Sequence, residues 1–156
     1  MPGITALLHT HNDSLRLGRA LEMLVPCDEI LIIDHDSSDQ TRSVARQYGA
    51  RVLQADDSLS YASIARGEWI FTLDPRESIT EALAASLYEW KLEPIPTSVR
   101  AFSVYRRDET VDGWIKNPLA HTRLVRANWN RWAGNFPEPD ASAVALEGEL
   151  LLFVFP

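Results

Sequence analysis

The stretch Glu29-Ile30-Leu31-Ile32-Ile33-Asp34, followed by His35-Asp36-Ser37-Ser38-Asp39-Gln40-Thr41, decides how this chain folds. Four consecutive apolar residues without polar alternation fit a strand buried on both faces, which is the habit of parallel sheets. The polar loop after Asp34 opens a helix with Thr41, Val44, Ala45 and Tyr48 on one face and Gly49 just past its end. Upstream, Ile4 to His9 reads as a strand, and Asn12, Asp13 or Ser14 can cap a helix in which Leu17, Ala20, Leu21 and Leu24 form one stripe up to Pro26. Downstream, the pattern predicts a short strand at Arg51 to Leu53, a weaker helix over Tyr61 to Arg66, a strand from Glu68 to Leu73, and a helix from about Ile79 to Trp90. Strands alternating with helices in this way predict an α/β fold: a Rossmann-like, mostly parallel sheet flanked by helices.

Past Pro94 and Pro96 the helical pattern stops. Strand signals take over at Val99 to Tyr105 and Thr122 to Val125, with a hairpin expected around Glu147-Gly148. The chain of 156 residues, 46% apolar and 24% charged, suits one domain with a real core. Within it, residues 1–93 form the βαβ part and 94–156 a strand-rich part. Fifteen basic against 22 acidic residues give a net charge of −7, which excludes non-specific nucleic-acid binding because such a surface repels phosphates. The single Cys27 forms neither an internal disulfide nor a thiolate metal cage. Met1-Pro2-Gly3 followed by Ile4 to Leu8 is unlike a signal peptide, and the apolar run Leu150 to Phe155 is far short of the ~20 residues that span a bilayer. The expectation is a soluble, cytoplasmic chain, with contact at a membrane surface left open and its oligomeric state unspecified.

Right-handed crossovers bring the loops after parallel strands to one sheet edge, where ligands usually bind. Three polar loops meet there: Thr10 to Ser14, Asp34 to Asp39, and Asp74-Pro75-Arg76-Glu77. Ser37, Ser38 and Asp39 read first as turn and cap residues, whereas Asp34 and Asp74 stand directly at strand ends. Asp34 and Asp36, one residue apart after an apolar strand, also allow the nucleophile and acid pair of a haloacid-dehalogenase-like phosphatase. Against that, the only lysines are Lys91 and Lys116, and neither precedes a distal acidic pair.

The opening Thr10-His11-Asn12-Asp13, the segment from Cys27 to Thr41 and Gly67-Glu68-Trp69-Ile70-Phe71-Thr72-Leu73-Asp74 resemble family 2 glycosyltransferases of the GT-A fold. Thr122-Arg123-Leu124-Val125-Arg126, Trp132-Ala133-Gly134 and Phe136-Pro137-Glu138 are most similar to the lipopolysaccharide-core β-glucosyltransferase type. The resemblance implies an inverting transfer of sugar from a nucleotide-diphosphate donor, of the UDP-sugar kind, to a glycan or lipid-linked acceptor in cell-envelope polysaccharide biosynthesis at the inner face of the membrane. Thr10, His11 and Asp34 would then hold the nucleotide, with Asp34 accepting from the base. Asp74 would meet a divalent cation, Mg2+ or Mn2+, and Glu138 would be the general base.

The chain departs from the family where a second carboxylate should follow Asp74 by two residues, because Arg76 stands there. Either Glu77 supplies the second oxygen ligand, or Arg76 meets the diphosphate itself by bidentate hydrogen bonds, or the domain is a non-catalytic nucleotide-binding or partner module. The Arg-Asn of many relatives is here Ser58-Leu59, and the acceptor side is reduced. Arg123 and Arg126 either meet phosphates or pair with the acidic surplus. Trp114, Trp129, Trp132 and Phe136 either stack on a sugar or fill a small core.

Overall fold

A computed structural model describes residues 2–156. In chain order the elements are β1 (Ile4–Thr10), α1 (Ser14–Leu21), β2 (Glu29–Asp34), α2 (Thr41–Gln47), β3 (Arg51–Gln54), α3 (Tyr61–Ile64), β4 (Trp69–Thr72) and β5 (Glu77–Ile79). They continue with α4 (Glu81–Leu92), β6 (Ala101–Thr110), β7 (Gly113–Arg126), β8 (Trp132–Ala133), β9 (Phe136–Pro137) and β10 (Val144–Leu152). Eight strands form one sheet in the order β3-β2-β1-β4-β7-β6-β10-β5, and β8 and β9 make a separate small ribbon. The first four strands are parallel, with Leu7 opposite both Leu31 and Thr72 and Ile32 opposite Val52. β7 then runs antiparallel to β4 and β6, and one sheet thus continues from the βαβ part into the strand-rich part.

Successive side chains of a strand point to opposite faces, and here both faces are covered. Ile4, Ala6, Leu8, Ile32, Trp69 and Phe71 pack with Leu17, Ala20, Ala45, Leu83 and Leu87 of the helices. Leu7, Leu31, Ile33 and Ile70 form a second layer, closed by Leu59, Tyr61, Ile64 and Trp132. The continuous apolar run of β2 follows from this double burial. Trp69 also meets Trp90 edge-on, with ring centroids 5.2 Å apart, which seats α4 on the sheet.

Three local expectations are corrected. Ile79 does not start a helix: it ends β5, paired with Leu150, and Thr80 caps α4 by accepting the Leu83 N–H at 3.2 Å. Helical periodicity at this boundary loses to strand pairing. Glu147-Gly148 is not a hairpin but an irregularity inside β10, where the register with β6 slips between Ala145 and Glu149. The tight turn lies instead between Thr110 and Gly113, where Gly113 has φ +117°. The first helix ends at Leu21, ahead of Pro26. Among the described residues no helix is long and apolar enough to cross a membrane.

Gly148 is required for two reasons: its φ is +96°, and a Cβ there would lie 2.3 Å from the Leu83 nitrogen at the start of α4. Gly148→Ala should therefore cost about 2 kcal/mol or more, combining strained backbone with a clash against backbone that does not yield. Urea denaturation measures this, and an unchanged midpoint would contradict the close approach.

Candidate functional site

The carboxyl ends of β1, β2 and β4 open onto a cleft of about 410 Å3. Its lining comprises His9, Thr10 and His11, then Asp13 and Arg16 at the start of α1, His35 after β2, Asp74 to Arg76 after β4, and Asn135 from the β8–β9 turn.

Beneath the cleft, the Asp34 carboxylate is fully buried. It accepts from the Thr10 hydroxyl at 2.7 Å, the Ser37 hydroxyl at 2.6 Å and the Ser37 N–H at 3.1 Å, with Arg42 Nε 3.9 Å away. Burial alone would raise its pKa, but the Ser37 and Thr10 hydrogen bonds hold it below the usual carboxylate range. Asp34 thereby ties the loop after β1 to the loop after β2. The tie extends through the Asn12 N–H to the Ser37 hydroxyl at 2.9 Å and the Ser38 N–H to Asn12 Oδ1 at 2.8 Å, with Asn12 at φ 52°. Thr10 lines the cleft and Asp34 lies beneath it, their side chains bonded to each other. That burial counts against the phosphatase reading, since a nucleophilic Asp34 would need an accessible oxygen.

One wall is aromatic. His9 Nδ1 lies 2.9 Å from His35 Nε2, and His9 Nε2 lies 2.9 Å from the Tyr61 hydroxyl. Tyr61 in turn meets Trp132 edge-on at 4.9 Å. His11 is exposed at the rim, its Nδ1 donating to the His35 carbonyl. Burial, with the neighbouring His35 charge adding to it, lowers the His9 pKa to about 4, so His9 is neutral at physiological pH.

The opposite wall is ionic. Arg76 covers Asp74: its Nε donates to Oδ1 at 3.0 Å, its Nη2 to Oδ2 at 3.3 Å, and its backbone N–H to Oδ1 at 2.8 Å. Against burial, these bonds keep the Asp74 pKa low. Arg16 reaches Asp13 at 3.6 Å on the same side. Behind this pair, the Glu77 side chain has 0% exposure and Arg123 only 5%, and the two form a bidentate pair at 2.6 and 2.8 Å. Arg106 adds a third bond to Glu77 at 3.1 Å, and the Asp74 N–H donates to Glu77 at 2.8 Å.

Arg123, Arg106 and the Asp74 amide thus occupy the Glu77 oxygens, and neither Glu77 nor Arg123 is among the residues lining the cleft. Among the described residues no group of three or more His, Cys, Asp or Glu side chains is arranged to hold a metal ion. With Arg76 on both Asp74 oxygens, the residues present do not fit the divalent cation that the resemblance implies. Glu138 is exposed, its N–H donating to the Arg131 carbonyl at 2.8 Å, and it is not among the residues lining the cleft. Of the aromatics, Trp132 and Phe136 pack under Tyr61 and Arg123, while Trp114 meets Phe153 and Trp129 lies under Arg131.

His9, Arg16 and Asn135 line the cleft without having been singled out by the sequence pattern. The spacing of Asp13 and Arg16, three apart in a first helical turn, is the one signal that points to such a pair.

Among known proteins, the chain is 30% identical over 90 residues to an uncharacterized glycosyltransferase of Rickettsia felis, an alignment covering 53% of this chain and 32% of that protein. It is 31% identical over 132 residues to a TPR repeat-containing protein of Synechococcus elongatus, covering 77% of this chain and 31% of that one. The chain thus spans about a third of the length of these curated relatives. No family model matches it. Among solved structures, glucosyl-3-phosphoglycerate synthase of Mycobacterium tuberculosis, in complex with Mn2+, UDP and phosphoglyceric acid, superposes with a TM-score of 0.57 at 14% identity, covering 81% of this chain and 56% of that one. Mannosyl-3-phosphoglycerate synthase of Rubrobacter xylanophilus gives 0.54 at 22% identity, covering 71% and 42%. Staphylococcus aureus TarS residues 1–349 give 0.51 at 15%, covering 80% and 47%. The fold is GT-A-like: a mostly parallel, curled sheet with flanking helices.

Two outcomes follow from the site's electrostatics. Glu77→Gln leaves the Arg123 guanidinium buried without its counter-charge and should cost about 3–5 kcal/mol in chemical denaturation. Second, because the folded His9 pKa lies below its ordinary 6.5, its contribution is complete above pH 6.5 and is lost as pH falls toward 4. His121, also lowered by burial, acts in the same direction. Melting temperature should fall between pH 6.5 and 4.5, before the carboxylates protonate, and His9→Phe should flatten that slope.

Proposed function

We propose that the cleft binds the nucleoside diphosphate portion of a sugar donor, and that the chain is the donor-binding part of an inverting glycosyltransferase. One observation carries the reading: in a GT-A-like fold, the aromatic wall of His9, His11 and His35 and the Asp74–Arg76 pair face each other across one cleft at the carboxyl edge of the sheet. The histidine rings offer a face and hydrogen-bonding nitrogens to a base such as uracil. Arg76 already grips a two-oxygen anion, and a diphosphate presents the same geometry with more charge. On binding, Arg76 exchanges Asp74 for the diphosphate, with Arg16 close by to share it. This meets the donor's charge without the second carboxylate that a bridging cation needs.

In the transfer, an acceptor hydroxyl oxygen bonds to the anomeric carbon while the bond from that carbon to the diphosphate oxygen breaks. The electron pair leaves on the β-phosphate, where Arg76 stabilises it. Glu138, exposed on its loop between Pro137 and Pro139, takes the hydroxyl proton once the acceptor is seated. The acceptor class is a glycan or lipid-linked glycan of the cell envelope, met on the cytoplasmic side of the membrane. A second reading, a nucleotide-binding module without turnover, is favoured by the position of Glu138 outside the cleft lining.

Calorimetric titration of UDP, UDP-glucose and their GDP and dTDP counterparts, in Mn2+ and in EDTA, tests this. Saturable binding should persist in EDTA, and Arg76→Ala should weaken it roughly 10- to 100-fold, the worth of a charge-assisted bidentate contact. Binding to none of the nucleotides would overturn the proposal. Binding accompanied by sugar transfer in wild type but not in Glu138→Gln would separate the enzyme from the module.

A further inference from the structure

A second hollow of about 440 Å3 lies on the other edge of the sheet, lined by Arg100, Arg126, Arg131, Trp129, Asn128 and Asn130 among others. Its place is set by register: Arg126 pairs with Trp69, the first residue of β4, whereas Asp74 follows the last. Five residues at about 3.3 Å each put the two sites roughly 16 Å apart, too far for one diphosphate to bridge.

The charge of this hollow runs against that of the chain. The protein carries −7, yet three arginines and no carboxylate line the cavity. Arg100 and Arg126 have no ion-pair partner among the described residues, while Arg131 is shared with Asp140 at 2.7 Å. Two of the guanidinium groups are held by aromatic faces: Arg126 lies 4.7 Å from the Trp69 ring centroid and Arg131 4.5 Å from that of Trp129. A ring face fixes a guanidinium without neutralising it. Like charges gathered in one concavity repel until an anion enters, and groups already fixed lose little entropy when it does.

We infer that this hollow is an anion site that takes a phosphate ester of a sugar or polyol. Arg100 and Arg126 grip the phosphate through paired N–H donors. The Asn128 and Asn130 amides, which donate and accept, suit the neighbouring hydroxyls. The phosphate ester can come from a free sugar phosphate or from the headgroup of an anionic lipid.

Titrations with glucose, glucose 6-phosphate and inorganic phosphate, followed by NMR of the indole N–H signals, test the site with UDP saturating the first cleft. Glucose 6-phosphate should shift the Trp129 signal saturably, glucose should not, and Arg100→Glu should weaken the response at least tenfold. Arg100 is exposed and unpaired, so this variant should keep the wild-type melting temperature; Arg126→Gln gives a second, charge-removing check. Sedimentation with phosphatidylglycerol vesicles that is lost in Arg100→Glu, without a glucose 6-phosphate response, would support the site and assign the lipid as its source. An unsaturable response with no vesicle binding, a response equal in Arg100→Glu, or displacement by UDP would each overturn the inference.

Discussion

The buried pair of Glu77 and Arg123 is the constraint on which the rest of this molecule leans. It binds the segment after β4 to the long strand β7, so the parallel half of the sheet and the strand-rich half share one ionic joint. Charges taken out of water are stable only when every oxygen and nitrogen is used, and here Arg106, the Thr72 carbonyl and the Asp74 amide complete the set. The joint fixes the backbone of Asp74, which in turn fixes where Arg76 reaches. Asp34 plays the same part on the other side of the cleft, where a carboxylate saturated by Thr10 and Ser37 locks two loops together. A cleft between two braced walls results, and the polar groups lining it are three imidazoles, Thr10, Asp13, Arg16, Asn135 and the Asp74–Arg76 pair.

This arrangement explains how a chain can keep the fold while changing the charge chemistry of its cleft. A carboxylate at position 76 would leave three acids, Asp13, Asp74 and the new one, around one point and would need a cation between them. An arginine there neutralises Asp74 internally, and in the proposed reading it exchanges that carboxylate for a phosphate, which is as good a partner for a guanidinium. The Glu77–Arg123 pair behind it is already satisfied internally.

Much of the fold was legible because the signals were local. The apolar run of β2, the stripe of Leu17, Ala20 and Leu21, and Gly49 after α2 each specify an element without help from distant residues, and the parallel half of the sheet follows from them. The errors came where distant partners decide. Ile79 is claimed by Leu150 in β10, Gly148 is shaped by the start of α4, and neither neighbour is near in sequence. The site divides in the same way. That the ends of β1, β2 and β4 meet was readable from topology, and Asp74 and Arg76 with it. Whether a carboxylate faces the cleft or lies beneath it depends on its hydrogen-bond partners, so the burial of Asp34 and Glu77, which look like ligands in sequence, was not readable there. The His9–His35–Tyr61 wall was hidden because its members lie 26 and 52 residues apart.

A crystal structure of the chain with UDP, grown in EDTA, tests the central claim most directly. The account predicts the diphosphate in the cleft with Arg76 turned from Asp74 onto it, and Asp34 and Glu77 unmoved in their buried pairs. A diphosphate bound away from Arg76, or Arg76 still closed on Asp74 while UDP appears in the cleft only when Mn2+ is present, would contradict it.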